Sequence, residues 1–176
     1  GYAISKILGI KYIQLLNKQH GCSHIGIIPT ASYGPNDCYD ENKNHVIPAL
    51  IKKIHNAKMK KKNSITLWGT GKAKREFIHV DDMASGIIHI LENYSENSPI
   101  NLGTGEEVTI AKLSKTISKI IGYTGSINFD IKKPDGIKRK ILSNEKLEKL
   151  KWKSRISLEK GLELAYLDYQ NYLKKS

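Results

Sequence analysis

Arginine is nearly missing from this 176-residue chain: of 29 basic residues only Arg75, Arg139 and Arg155 are arginine, and the rest are lysine. Base edges and phosphate forks favour the planar guanidinium. The few aromatic residues form no ladder among the lysines on which bases would stack. A formal net charge of +12 therefore reads as lysine-covered solvated faces, and nucleic acid is not expected as a partner. Cysteine is also scarce. Cys22 and Cys38 cannot build a disulfide framework and fit a reducing cytosol, so a cytoplasmic location is expected. No apolar run approaches the ~20 residues a membrane span needs. Lys6 and Lys11 interrupt the one early apolar stretch, so neither a membrane nor a secretory signal is expected. A starting Met is absent too. The chain opens at Gly1 in what reads as the middle of a helix, which suggests the C-terminal part of a longer enzyme.

What is present alternates between two periods. Ile4, Ile7, Leu8, Ile10, Ile13, Leu15 and Leu16 recur at helical spacing before Gly21, which predicts a helix over 2–20. A short apolar run, 25–28, ends at Pro29 and suits a buried strand, with TASYGPND as loop. A second helix is expected over 45–60, with Pro48 near its start. Strands are expected at 65–68, in REFIHV, and at 99–103 and 126–130. Asp81 or Asp82 is expected to cap the helix that follows His79, Thr109 the helix ending before Gly122, Ser143 the segment KLEKLK and Ser157 the last helix. Helices alternating with short strands argue for an α/β fold.

Tyr2 and Lys6 are four residues apart, so a helix puts them on one face, one turn apart. Phenol is a poor acid at neutral pH, but a cation one turn away stabilises phenolate, and the pair can then exchange a proton with a carbonyl or hydroxyl oxygen. Taken alone, such a pair is more often a surface contact. His45 has a side chain suited to proton transfer near neutrality, or to capping the helix it precedes. Arg75 suits a bidentate phosphate contact, or a surface ion pair with Glu76 or an aspartate. Trp68 suits a wall for a sugar or base, or core. Asp135 suits sugar hydroxyls, or a turn. The two cysteines read as structural. Neither Gly69-Thr70-Gly71 nor Gly103-Thr104-Gly105 has the G-x-G-x-x-G spacing of a dinucleotide phosphate loop.

The order of these blocks carries more than any one of them. Tyr2-x-x-x-Lys6, then Pro29 with Tyr33-Gly34-Pro35, then Gly69-x-Gly71, then Arg75-Glu76-Phe77-Ile78-His79-Val80-Asp81-Asp82 together resemble the extended short-chain dehydrogenase/reductases that act on nucleotide sugars. With HVIPALI, LWGTG, INLGTG and KPDGxxRK added, the resemblance covers nearly the whole chain. It narrows to the branch that epimerises C3 and C5 of a GDP-linked 4-keto-6-deoxy sugar and then reduces C4 with NADPH.

That resemblance implies the C-terminal portion of a Rossmann-type α/β enzyme with a smaller α/β substrate domain. Residues 2–32 and 77–102 would belong to the NADP-binding part, and 33–76 and 103–176 to the nucleotide-sugar part. It implies Tyr2, Lys6 and His45 as catalytic residues: Tyr2 as the proton donor to the C4 oxygen, Lys6 on the nicotinamide ribose, His45 as the acid of epimerisation. It implies NADP(H) held by Tyr2, Lys6, Pro29, Thr30, Ala31, Ser32 and His45. Substrate contacts fall to Lys53, Trp68, Arg75 and Asp135, with no metal. The partners implied are a GDP-linked keto-deoxy sugar and a second copy in a homodimer. Two positions depart from the pattern: Ala31 stands where the family commonly has Asn, and Lys53 where it commonly has Arg. Two rival readings are a GDP-hexose or GDP-heptose 4-reductase with little epimerase activity, and a basic binding module without catalysis.

Overall fold

The computed structural model describes residues 1–40 and 45–175. The fold is α/β, with six helices and eight strands among the described residues. Helix α1 spans Tyr2–His20 and ends at Gly21 in the left-handed conformation, as the apolar spacing and the glycine predicted. Strands β1 (Ile27–Pro29) and β2 (Ala31–Tyr33) follow almost without a break. Helix α2 spans Val46–Met59, β3 Ser64–Trp68, β4 Lys74–His79 and α3 Val80–Asn93. Then come β5 (Ile100–Leu102), β6 (Glu107–Thr109), α4 (Ile110–Ile121), β7 (Ser126–Asp130), β8 (Arg139–Lys140), α5 (Glu145–Lys149) and α6 (Leu158–Lys175).

The strands pair in three small groups. β1 runs parallel to β5, with Ile27 opposite Ile100, and β3 parallel to β7, with Trp68 opposite Asp130. β4 is the hub. Its second half pairs with β2, Ala31 opposite Phe77. Its first half lies between β6 and β8, with Arg75 opposite Val108 on one side and Lys140 on the other.

Two apolar clusters result among the described residues. The larger is closed by α2, α4 and α6 and buries Ile47, Ile51, Ile54, Leu113, Ile117, Ile121 and Tyr169. On α4 the positions 113, 117 and 121 are one stripe at i, i+4, i+8. Each such side chain contributes about 1.5–3 kcal/mol when fully buried. The smaller cluster holds Ile78, Ile90, Tyr94, Ile100, Leu102, Leu147 and Trp152. There α3 lies so close to β5 that a Cβ on Gly86 would meet the Leu102 side chain at 2.6 Å. No residue of α1 is buried.

Several boundaries differ from the sequence reading. Residues 31–33, read as loop, are strand β2, because parallel pairing with β4 buries Tyr33. The cap of α3 is His79, whose Nδ1 accepts from the Asp81 amide at 3.3 Å, not Asp81 or Asp82. Asp82 is buried instead, and its carboxylate accepts from the amides of Arg155 and Ile156 at 2.8–3.1 Å. That bond joins the small cluster's helix to the start of α6. At α5 the cap position is Asn144, not Ser143; the Ser143 carbonyl accepts from Asn101 Nδ2 instead. Thr109 and Ser157 do accept from Lys112 and Lys160 at their helix starts. Strands β6 and β8 are too short to leave a pattern.

Candidate functional site

Helix α2 is two-faced. Ile47, Leu50, Ile51, Ile54 and Ala57 turn into the large cluster, which leaves Ala49 and Lys53 along its flank. That flank, with the end of β3 and the KPDG loop, walls a cleft of about 420 Å³. Val46, Leu50, Leu67, Ile110 and Pro134 make its apolar side; Lys53, Trp68, Arg75 and Asp135 complete it. All four residues proposed from the sequence as substrate contacts thus line one cleft, although they are spread over 83 positions of the chain.

Each is held in its own way. Arg75 is half-buried; its Nη1 donates to the carbonyls of Lys74 (2.8 Å) and Ile137 (2.6 Å). It has no carboxylate partner among the described residues. Glu76 points the other way, as strand alternation requires. Its buried carboxylate accepts from the amides of Gly105 (2.8 Å) and Leu142 (3.0 Å). Lys53 Nζ donates to the Thr66 carbonyl at 2.6 Å, fastening α2 to β3. Trp68 is 71% exposed, with Lys133 Nζ 5.6 Å from its ring centre; so large an apolar plane facing water is suited to stacking. Asp135 makes the turn that was one of its two readings. It accepts from the Thr70 amide (2.6 Å) and the Thr70 hydroxyl (2.7 Å), and these bonds hold its carboxyl below the usual range. Gly69 has φ +81°, and a Cβ there would strike Asp135 Oδ1, so that turn requires glycine.

Tyr2, Lys6, Pro29, Thr30, Ala31, Ser32 and His45 do not line this cleft. Tyr2 is exposed in the first turn of α1, with Lys6 Nζ 5.4 Å from its ring centre. Pro29, Ala31 and Ser32 are exposed at the β1–β2 junction. Thr30 between them is committed to the fold: its amide donates to the Leu102 carbonyl and its hydroxyl to the Glu76 carbonyl. His45 takes the cap position of α2, next to Val46 of the cleft wall. Its side chain makes no capping bond, so the capping alternative is not the one the side chain adopts. Tyr33 is buried and its phenol is pushed well above the ordinary value, chiefly by desolvation and then by Asp82; this leaves Tyr2 as the phenol open to a ligand in the motif blocks. Sequence reasoning missed Thr70 and Lys133. Thr70 had a signal, since a hydroxyl between two glycines is common turn chemistry.

Among the described residues no helix is long and apolar enough to cross a membrane. Residues 1–103 match the model of the NAD dependent epimerase/dehydratase family. The chain is 43% identical over 165 residues to a GDP-L-fucose synthase of Sinorhizobium fredii, covering 94% of this chain and 52% of that protein. A crystal structure of a GDP-6-OMe-4-keto-L-xylo-heptose reductase from C. jejuni superimposes with a TM-score of 0.87 at 29% identity, over 94% of this chain and 59% of that one. A GDP-L-fucose synthetase from Naegleria fowleri bound to NADP gives a TM-score of 0.86 at 26% identity, over 99% and 55%. The chain spans about half the length of the curated relatives it matches.

Proposed function

The chain belongs to the NAD dependent epimerase/dehydratase family, and from that premise we propose that it carries the nucleotide-sugar site of a GDP-L-fucose synthase-like enzyme. The reaction is NADPH-dependent 3,5-epimerisation and 4-reduction of GDP-4-keto-6-deoxy-D-mannose to GDP-L-fucose. The observation that carries this reading is the single cleft shared by Lys53, Trp68, Arg75 and Asp135. Arg75 has nitrogens left for a diphosphate beyond the two carbonyls that orient it. Trp68 offers a flat apolar face beside it. Lys53 adds a point charge rather than a fork. Asp135 serves by fixing the Gly69–Thr70 turn beneath Trp68.

The chemistry at the sugar falls to residues outside the cleft lining. His45, free of its cap, returns a proton to carbon after the neighbouring keto group has stabilised an enolate. Tyr2 gives its proton to the C4 oxygen, and Lys6 stabilises the phenolate left behind. The donor set fits NADP(H): an exposed phenol–ammonium pair on α1, and exposed Pro29, Ala31 and Ser32 at the carboxyl end of a parallel strand, where open α/β sheets take ligands. Tyr2, Lys6, residues 29–32 and His45 would hold it, and when bound it supplies the hydride for C4.

In the complete enzyme that carries this chain, Tyr2→Phe abolishes reduction and leaves solvent deuterium exchange at C3 and C5. His45→Gln slows that exchange by roughly 10²-fold or more, the usual scale of general acid–base groups. Exchange at the wild-type rate in His45→Gln would contradict the assignment. The likeness to a heptose reductase favours a second reading, reduction of a GDP-linked keto-heptose without epimerisation. Product analysis by NMR separates the two.

A further inference from the structure

A second cleft, of about 880 Å³, adjoins the first and shares Ala49, Lys53 and Trp68 with it. It runs on along α2. Ala49, Lys53, Asn56 and Lys60 recur at i, i+4, i+7 and i+11, which is one helical stripe. From Lys53 to Lys60 that stripe extends about 10 Å at the helical rise. Lys62 closes its far end and also lines a third cleft with Lys58 and Lys61. Among the described residues, no aspartate or glutamate lines the second or the third cleft. Lys60 and Lys62 are exposed, and their ammonium groups have no hydrogen bond or ion pair among the described residues. Solvated helix faces commonly alternate their charges; this one does not, and its like charges persist where they repel one another.

We propose that the far end of this groove, Lys60 and Lys62, steers the diphosphate end of the nucleotide sugar into the adjoining cleft, raising its association rate without those two lysines touching the bound ligand. The inference rests on the nucleotide-sugar reading of that cleft. Grooves of one sign of charge between low-dielectric walls focus the field and raise on-rates by roughly 10–10³-fold. The Debye length at physiological salt, about 8 Å, is close to the length of the stripe, whereas at 1 M it is about 3 Å. Lys60 therefore acts at a distance in dilute salt and stops acting in concentrated salt.

The test is stopped-flow association of GDP with the full chain, followed by tryptophan fluorescence, with bound GDP confirmed by calorimetry. Lys60 and Lys62 are changed together to glutamine, which preserves length and removes charge. At about 20 mM salt the double variant associates roughly threefold or more slowly, dissociates at the unaltered rate, and matches the unsubstituted protein at 1 M salt. An unchanged association rate at low salt overturns the steering. So does a deficit that persists at 1 M or that resides in dissociation, because each marks local damage rather than a field effect. If the unsubstituted chain binds no GDP by either readout, the nucleotide-sugar reading falls and the steering with it. Saturable binding with an unchanged association rate removes the steering alone.

Discussion

The two apolar clusters satisfy their sequences unequally. In the large one, the helical stripes of α2, α4 and α6 all find partners, and Ile54, Leu113 and Ile117 are at most 1% exposed. Beside the small one, α1 is as rich in apolar residues but spreads them almost all round its axis, and Ile4, Ile7, Leu8, Tyr12 and Leu15 are all more than half exposed. Polar bonds tie α1 down instead: Gln14 Nε2 to the Asn97 carbonyl, and Asn17 to His24 and Asn97. The difference teaches that apolar content alone makes a helix legible, whereas burial follows where the apolar residues gather on one side, as on α4 and not on α1. It also separates the two proposed roles. The cleft proposed for the nucleotide sugar stands on the closed cluster, while Tyr2 and Lys6 stand on the helix that buries nothing.

The sharpest way to break this contrast is one truncation in each region. Ile54→Ala is expected to cost about 2–5 kcal/mol, the range for deleting a buried large aliphatic side chain. Ile7→Ala, at 58% exposure, is expected to stay within about 0.5 kcal/mol. Urea unfolding of both variants checks this, and equal losses would show that α1 is packed. Next in size is Asp82→Ala, which leaves the Arg155 and Ile156 amides without an acceptor where α3 meets the start of α6. It is expected to cost about 1–3 kcal/mol and to raise hydrogen exchange at those two amides. Arg75→Lys keeps the charge but loses the fork, so GDP binding is expected to weaken about tenfold, the scale of one charge-assisted hydrogen bond, with thermal stability nearly unchanged.

The smallest effect is a titration. The Thr70 hydroxyl, then the Thr70 amide, lower the Asp135 pKa. A folded pKa below the unfolded one means the stabilisation is present above the unfolded pKa and is lost as pH falls through the folded value. Thr70→Val removes the larger cause, so the Asp135 titration followed by NMR is expected to move back up toward the ordinary carboxylate range. No movement would mean that the hydroxyl does not hold the turn.

Much of this was legible before any coordinates. The long helices announced themselves because three or more turns repeat the same apolar spacing, as on α4. Gly21 and Gly122 marked two helix ends for a reason that is local, their left-handed φ. The illegible parts depend on partners far away in the chain. β8 has two residues, and it exists because Lys74 and Arg75 lie opposite Arg139 and Lys140. Asp82 looked like a cap because caps are short-range, but amides 73 and 74 positions later claimed it. In the cleft, Arg75 and Trp68 were recognisable as residue types, and the Asp135–Thr70 clamp was not, because it spans 65 positions. The Arg75–Glu76 ion pair that the sequence left open does not form, because strand alternation turns Glu76 to the amides of Gly105 and Leu142.

The central claim is the proposal that this chain grips the nucleotide end of the substrate, while it meets NADP(H) only through Tyr2, Lys6, residues 29–32 and His45 and not through a diphosphate loop. A dinucleotide's diphosphate is commonly cradled by backbone amides of a Gly-rich loop at a helix start, and no G-x-G-x-x-G occurs in these 176 residues. The direct test is calorimetry on this chain with GDP and NADPH in separate titrations. The account predicts a saturable one-to-one isotherm with GDP, weakened in Arg75→Lys, and no resolvable heat with NADPH. An absence of GDP binding, or NADPH bound as tightly as GDP, would contradict it.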